Sequence, residues 1–273
     1  MLLNINISRR IIFCCLMISI VLAGSFLGCS RTVENKKLSV FAAGGAKPAI
    51  DEICARFTEE YGTDIEINYG GGGEVLSRMV LSETGDIYIA PEQRFMESAL
   101  EKEAIDGTTI KSLAYMVPVI AVSEGNPLQI TCLSDLAKPG VRVAITRSET
   151  TLLGKFAPEI FEKAGLTEAI GANILTTASD PNNLLTMLTT NAIDAGIIWH
   201  FFGTSASDKI DIVWLLPEQL TGIGQMQAAV STYSKNTGTA HEFIEFLVSP
   251  QSETIFQEYG YITEIEEVNQ YWK

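Results

Sequence analysis

Two glycine turns, each between a strand pattern and a helix pattern, organise the first third of the sequence. The apolar stretch Leu38–Ala43 runs into a glycine pair, and the alternating stretch Ile65–Tyr69 runs into four glycines. A strand that passes through glycines into a helix presents backbone N–H groups at the positive end of the helix dipole, where an anion can bind. The alternative is that the glycines only permit tight turns. The pattern predicts one small-anion site whose donors are Gly44, Gly45, Gly72 and Gly73.

The length and the charge of the chain exclude some classes of protein. With 273 residues, the chain is long enough for one large or two modest domains. Its formal net charge is −14 and its pI is about 4.6. No basic stripe is present to release phosphate counterions, which argues against nucleic-acid binding. An anionic ligand would therefore be held locally by N–H dipoles rather than by general positive charge.

The N-terminus has the pattern of a secretory signal. Arg9 and Arg10 precede an apolar run from Ile11 to Leu22, which is shorter than the ~20 residues of a membrane span. Leu27-Gly28-Cys29 resembles a bacterial lipoprotein box. The pattern predicts a lipoprotein signal peptide over residues 1–28, lipidation of Cys29 and a polar tether over residues 29–36. The body would then be anchored on the extracytoplasmic face of the cell membrane. Simple secretion and an uncleaved anchor are the alternatives.

The order of strand and helix patterns predicts parallel sheets with helices on their faces. Three strand–helix pairs occupy residues 38–100, and a second set of such units begins at Val141. Between the two sets lies an extended stretch, Ala114–Val122, with Pro118 in its middle. A proline there argues against a central strand and favours a crossing between domains.

The cysteine, histidine and glycine patterns do not indicate catalysis. The five cysteines show no spacing typical of zinc, and a Cys54–Cys132 disulfide is left open. The glycine run is not followed by Gly-Lys-Ser/Thr, and no Gly-x-Ser-x-Gly motif occurs. His200 follows a buried strand pattern, and His241 lies on a helix with no sequence partner. We therefore predict no enzyme activity, no metal and no cofactor.

Several segments together resemble the solute-binding proteins of ABC importers that capture molybdate and tungstate. They are the Val-Phe-Ala-Ala strand, the glycine turn before Leu76-Ser77-Arg78-Met79, the strand Gly85–Ala90 and the C-terminal run Phe246-Leu247-Val248-Ser249-Pro250. The resemblance covers about residues 37–265. It implies an α/β fold with two lobes, the class II periplasmic-binding-protein fold. Each lobe is a mostly parallel sheet flanked by helices, and two crossing strands join them. Lobe 1 would contain residues 37–117 and 221–273, and lobe 2 residues 118–220.

The resemblance also implies a set of ligand contacts in the cleft between the lobes. Two serines of the family pattern are replaced by glycines, a tyrosine hydroxyl by an indole N–H, and two backbone donors are kept. The corresponding positions are Gly45, Gly73, Trp199, Leu153 and Asn182, the last because Pro181 has no N–H. Arg147 adds a forked donor that suits oxyanions.

These patterns together predict a monomeric, membrane-tethered solute-binding lipoprotein. It would deliver a small oxyanion, such as molybdate or tungstate, to the permease of an ABC importer. One alternative keeps the binding role but changes the ligand to another anion, a small acid or a metal chelate. Glu74, beside the second glycine turn, supports that alternative because it could coordinate a cation or an amine. Another alternative is an enzyme or sensor domain on the same scaffold.

Overall fold

The computed structural model describes residues 37–149 and 151–271. The predicted signal peptide, the tether and Cys29 lie outside the described residues. Within the described ranges, no helix is long and apolar enough to cross a membrane.

Ten strands and ten helices alternate along the described chain. The strands are β1 (Lys37–Ala43), β2 (Asp64–Gly70), β3 (Ile87–Ala90), β4 (Lys111–Met116), β5 (Pro118–Ser123), β6 (Val143–Thr146), β7 (Ile174–Ala178), β8 (Ala195–Trp199), β9 (Ile210–Trp214) and β10 (Gly224–Val230). The helices are α1 (Lys47–Tyr61), α2 (Gly72–Ser82), α3 (Gln93–Glu101), α4 (Leu152–Lys163), α5 (Thr167–Gly171), α6 (Pro181–Thr189), α7 (Phe202–Ser205), α8 (Thr237–Leu247), α9 (Pro250–Glu258) and α10 (Ile265–Val268). A 3-10 turn, Gly44–Ala46, leads from β1 into α1.

The strands form two five-stranded sheets with matching topology. The first has the order β2-β1-β3-β10-β4, and the second has the order β7-β6-β8-β5-β9. In the first sheet only β10 runs against the other strands, and in the second only β5 does so. Each sheet is therefore mostly parallel, as predicted. The predicted division at residues 117/118 and 220/221 assigns one sheet to each lobe.

The chain passes from the first sheet to the second at Val117. Its N–H donates to Nδ1 of His200 at 3.0 Å, and its carbonyl accepts from the His200 N–H at 2.9 Å. The expectation that Pro118 argues against a central strand is wrong, because β5 pairs with β8 on one side and β9 on the other. Pro118 is the first residue of β5, a position where a strand accepts a proline.

Three elements, α1, α4 and β7, show how the sequence patterns compare with the structure. Ile50, Ile53, Cys54 and Phe57 of α1 are buried, and Gly62 ends the helix in the left-handed conformation. Helix α4 begins at Leu152, because Oγ1 of Thr151 caps it by accepting the Gly154 N–H. Strand β7 has no counterpart among the sequence patterns, since its three middle residues, Leu175, Thr176 and Thr177, are all exposed.

The Cys54–Cys132 disulfide that the sequence left open is not formed. Cys54 and Cys132 are both free; the first is buried and the second exposed. Burial raises the pKa of the Cys54 thiol to about 12, so this thiol stays protonated and packs as a small apolar side chain.

The C-terminal helices return to the first sheet. Helix α8 packs on β10 and α1, and α9 packs on α1. Phe57 and Phe243 join α1 to α8, with ring centroids 4.9 Å apart in an edge-to-face arrangement. The carboxyl ends of the parallel strands in both sheets remain uncovered by these helices, and they line the cavity described next.

Candidate functional site

A cavity of about 640 Å³ lies between the carboxyl ends of the two sheets. Ala43, Gly70 and Pro91, at or just after the ends of β1, β2 and β3, line one side. Ser179 and Trp199, at or just after the ends of β7 and β8, line the other side. Ligand sites of open α/β sheets lie at this edge because the following turns and helix N-termini point there.

The two predicted glycine turns meet at this cavity. Gly44 and Gly45 form the 3-10 turn after β1, and Gly72 and Gly73 are the first two residues of α2. The first N–H groups of a helix have no partner within the helix. The carboxylate of Glu74 accepts the N–H of Gly71 at 3.2 Å, which caps α2 one residue before these donors. The first two residues of α2 therefore lie at the wall of the cavity, next to its N-cap.

Side chains behind the second turn hold it in place. Nη2 of Arg78 donates to the carbonyl of Tyr69 at 2.6 Å, and the Tyr88 hydroxyl donates to the carbonyl of Gly72 at 3.3 Å. A Cβ on Gly72 would lie 2.7 Å from both Phe95 and Pro91. Only a glycine fits at this position without a shift of its neighbours.

The N-terminus of α6 reaches the cavity from the second sheet. Pro181 has no N–H, and the N–H of Asn183 donates to Oδ1 of Asp180 at 3.0 Å. Asn182 therefore carries the N–H of the first turn that is left without a helical or capping partner. It lines the cavity.

The N-terminus of α4 is occupied by a side chain from the other half of the molecule. The N–H of Leu152 donates to both carboxylate oxygens of Glu92, each at 3.1 Å. Oε2 of Glu92 also accepts from Nε of Arg94 at 2.9 Å. Glu92 is only 6% exposed and lines the cavity. Burial raises the pKa of Glu92, although Arg94 and the Leu152 N–H act against that shift.

The described charged residues that line the cavity are all acidic. They are Glu74, Glu92, Glu149 and Asp180. Two of them cap helices, Glu74 at α2 and Asp180 at α6. Any anion bound here would be held by neutral N–H groups and helix dipoles, as the charge of the chain led us to expect.

Aromatic side chains form the floor of the cavity next to the crossing of the chain. Trp199 is buried and meets Phe156 edge to face, with centroids 6.4 Å apart. Phe201 stacks on Tyr261 at 4.3 Å, which joins the second half of the molecule to the C-terminal segment. The Tyr261 hydroxyl reaches the carbonyl of Gly45 at 3.5 Å.

Six of the eight predicted ligand residues line the cavity. They are Gly44, Gly45, Gly72, Gly73, Asn182 and Trp199. The side chain of Leu153 is fully buried and does not line the cavity. The first N–H of this helix, on Leu152, is held by Glu92, and the backbone donor at Leu153 stays a prediction. Arg147 lies in a smaller neighbouring pocket that it shares with Gly154.

Sequence patterns did not indicate Glu92, Phe201 or Tyr261 as site residues. Glu92 had a usable signal, because it follows the third parallel strand and so lies at the same sheet edge as the glycine turns. The aromatic residues had no such signal. Their places depend on how the C-terminal segment packs against α7.

The described residues contain no group of three or more histidine, cysteine or acidic side chains arranged to hold a metal ion. Burial lowers the pKa of His200 to about 4, so the imidazole is neutral at pH 7. Its Nδ1 accepts the Val117 N–H, which gives it a structural role at the crossing.

Comparison with known proteins gives consistent matches over most of the chain. A family model described as bacterial extracellular solute-binding protein matches residues 38–262. The molybdate-binding protein ModA of Escherichia coli is 25% identical over 249 residues, which is 89% of this chain and 94% of ModA. The solved substrate-binding domain of a putative molybdenum ABC transporter from Clostridium difficile is 24% identical, with a TM-score of 0.71. The alignment covers 84% of this chain and 99% of that domain.

A second solved structure, L-phospholactate-bound PEB3 of Campylobacter jejuni, is similar at 20% identity and a TM-score of 0.72. It covers 83% of this chain and 100% of PEB3. The structural matches confirm the two-lobe α/β fold that the sequence predicted.

Proposed function

This chain belongs to the bacterial extracellular solute-binding proteins of ABC importers, and we propose that it captures a small tetrahedral oxyanion of the molybdate or tungstate type between its two lobes. It then delivers the ion to the permease of its importer. The relatives named for molybdate support this choice of ligand.

One observation carries the proposal: residues at helix N-termini from both lobes line one cavity, and we infer that their backbone N–H groups bind the ion. The glycine turns contribute Gly45 and Gly73 from the first lobe, and α6 contributes Asn182 from the second. An N–H···O bond to an ionised oxygen contributes about 1.5–3 kcal/mol. Donors from both lobes favour a closed state around the ion, because each lobe gains these bonds only when the cleft is shut.

The proposal includes the location of the protein. The lipoprotein box at Cys29 and the tether that follows would hold the body on the extracytoplasmic face of the membrane. A tethered monomer can close on the ion and then dock to the permease without diffusing away.

A small organic acid is the second candidate ligand, and the size of the cavity favours it. About 640 Å³ is typical of sites for organic molecules and exceeds the volume of one tetrahedral ion. The aromatic floor of Trp199, Phe201 and Tyr261 would pack against a carbon skeleton. In this case the same N–H groups would bind the carboxylate or phosphate group of the ligand.

A thermal-shift screen followed by calorimetry on the purified protein tests the proposal. The panel contains molybdate, tungstate, sulfate, phosphate, several carboxylates and divalent metals. A ligand at 100-fold excess over its Kd stabilises the folded state by ~2.7 kcal/mol, which raises the melting temperature. We expect this shift with molybdate or tungstate. A shift with organic acids alone would support the second candidate, and silence from every anion would refute both.

A further inference from the structure

We propose that Glu92 sets the specificity of the cleft by taking up one proton when a fully ionised oxyanion binds, and that the protonated carboxyl group then donates a hydrogen bond to the ligand. This inference rests on the proposed function and concerns the same cavity. It makes capture of a dianion dependent on pH.

Glu92 lies where the two lobes meet at the cavity. Its side chain crosses from the first lobe to the N-terminus of α4 in the second, where it takes the N–H of Leu152. In this place the carboxylate acts as an internal anion. A bound oxyanion would lie beside it, because Glu92 lines the same cavity as Gly45, Gly73 and Asn182.

The hydrogen bonds of Glu92 identify the oxygen that would gain the proton. Among the described residues, Oε2 accepts from both Leu152 and Arg94, whereas Oε1 accepts only from Leu152. A carboxylate oxygen has two lone-pair positions, so Oε1 keeps one of them available. Protonation at Oε1 leaves both bonds to Oε2 intact and provides one O–H donor for the cavity.

The charges around Glu92 favour uptake of a proton when an anion arrives. The positive groups that act on it are Arg94, which pairs with it, and Lys155, the fourth residue of α4. The acidic groups that share the cavity are Glu74, Glu149 and Asp180. A dianion placed among these carboxylates raises the free energy of the ionised form of Glu92, the most buried of the four. Burial alone already raises its pKa.

The proton balance is simple. One proton leaves the solvent and binds Oε1, and the dianion enters the cleft without a change in its own protonation. The net charge of the cavity then becomes more negative by one unit rather than by two. A ligand that keeps its own proton at neutral pH, such as hydrogenphosphate, could instead donate to the ionised Glu92 and would take up no proton.

Calorimetry of the purified protein with molybdate measures this uptake directly. Titrations between pH 6 and 8, in buffers with different ionisation enthalpies, give the number of protons bound with the ion. We expect one proton at pH values between the pKa of Glu92 in the free protein and its higher pKa in the complex, and over this range the Kd should weaken by about tenfold for each pH unit. The variant Glu92→Gln keeps a donor at this position, so it should bind molybdate with no proton uptake and no pH dependence.

Glu97→Gln provides the matched control, because it makes the same charge change on the exposed side of α3. It should take up one proton, like the wild type. Wild-type protein that binds molybdate without proton uptake would overturn the inference alone, and so would uptake that survives in Glu92→Gln. If Glu92→Gln does not fold, the wild-type titration decides. If no oxyanion binds at any pH, the proposed function fails, and this inference fails with it.

Discussion

Both halves of the cavity contain helix N-termini that can bind an anion, but they differ in whether the protein already occupies the donor. In the first lobe, the glycine turns bring backbone donors to the cavity with no side chain of their own in front of them. In the second lobe, the N-terminus of α4 presents an equivalent donor, Leu152, but a carboxylate from the first lobe already holds it. Under the proposed function, a helix end is an anion site in both places, and in one of them the anion is part of the protein.

The two regions therefore have different roles. The glycine turns recognise the ligand, and the contact between Glu92 and Leu152 holds the two lobes together. The glycine turns can bind an ion only when one is supplied. The bond between Glu92 and Leu152 joins the two lobes without a ligand, over a sequence separation of 60 residues. The substitutions below act on one region or the other, so each of them tests whether the two regions have these separate roles.

The largest effect is expected at the first glycine turn. Gly45→Val should weaken oxyanion binding at least ~100-fold, because a branched side chain at the mouth of the turn excludes the ion from at least one or two N–H groups worth about 1.5–3 kcal/mol each. Calorimetry with molybdate measures the loss. The fold should persist, since a Cβ at Gly45 has no neighbour within 4 Å.

Gly171→Val is the control for this substitution. Gly171 also has no neighbour within 4 Å of a Cβ, and it ends α5 away from the cavity. It should leave the affinity unchanged. Equal affinity in the two variants would show that the first turn does not bind the ligand.

The next effect is on stability and concerns the second glycine turn. Gly72→Ala should lower the free energy of unfolding by about 1–3 kcal/mol, the usual cost of overpacking. Its Cβ would lie 2.7 Å from Phe95 and from Pro91. Gly71→Ala is the matched control, because its nearest neighbour, Glu74, is 3.9 Å away and its backbone angles suit alanine. Urea unfolding of both variants measures the difference, and similar midpoints would contradict the packing argument.

A proline at position 152 tests the contact between Glu92 and the N-terminus of α4. Leu152→Pro removes the N–H that Glu92 accepts, at a helix position where proline is tolerated. The preceding residue, Thr151, already has the extended angles that proline requires. Losing a bond to a charged group costs about 1.5–3 kcal/mol, and a stiffer unfolded chain returns about 0.4–1 kcal/mol. We expect a net loss of stability of about 1–2 kcal/mol.

Leu152→Ala controls for the lost side chain, which packs partly against the core. Relative to that variant, Leu152→Pro should also raise the pKa of Glu92, because the N–H of Leu152 favours the ionised carboxylate. The proton uptake would then persist to higher pH. No difference between the proline and alanine variants in urea unfolding would mean that the Glu92 contact does not join the lobes.

The same contrast explains what the sequence could predict. The glycine turns are local: a strand pattern, a glycine and a helix pattern within ten residues are enough to place Gly45 and Gly73. Asn182 was implied by the family resemblance, since Pro181 at the start of α6 has no N–H. These residues need no knowledge of how the two lobes pack.

The α4 region depends on contacts that are distant in sequence. Thr151 caps α4, and the N–H of the next residue, Leu152, is held by Glu92. The family resemblance implied a backbone donor at Leu153, which stays a prediction. Glu92 could not be paired with this helix from periodicity or spacing. Pro118 shows the same limit, because its position at the start of an interior strand depends on two partner strands far along the chain.

The smallest effect should come from restoring a side-chain donor to the first turn. Gly45→Ser has space for its hydroxyl, and one added bond to an ionised oxygen should tighten molybdate binding by about tenfold, or ~1.4 kcal/mol, after the entropy of ordering the side chain. Gly73→Ser should gain less, because its Cβ would lie 3.3 Å from Phe95. Calorimetry on both variants ranks the two turns. A lower Kd for molybdate in Gly45→Ser, with unchanged proton uptake, would show that the glycine turns bind the ligand while Glu92 acts separately. Weaker binding in Gly45→Ser would mean that the turn accepts its ligand through bare backbone alone.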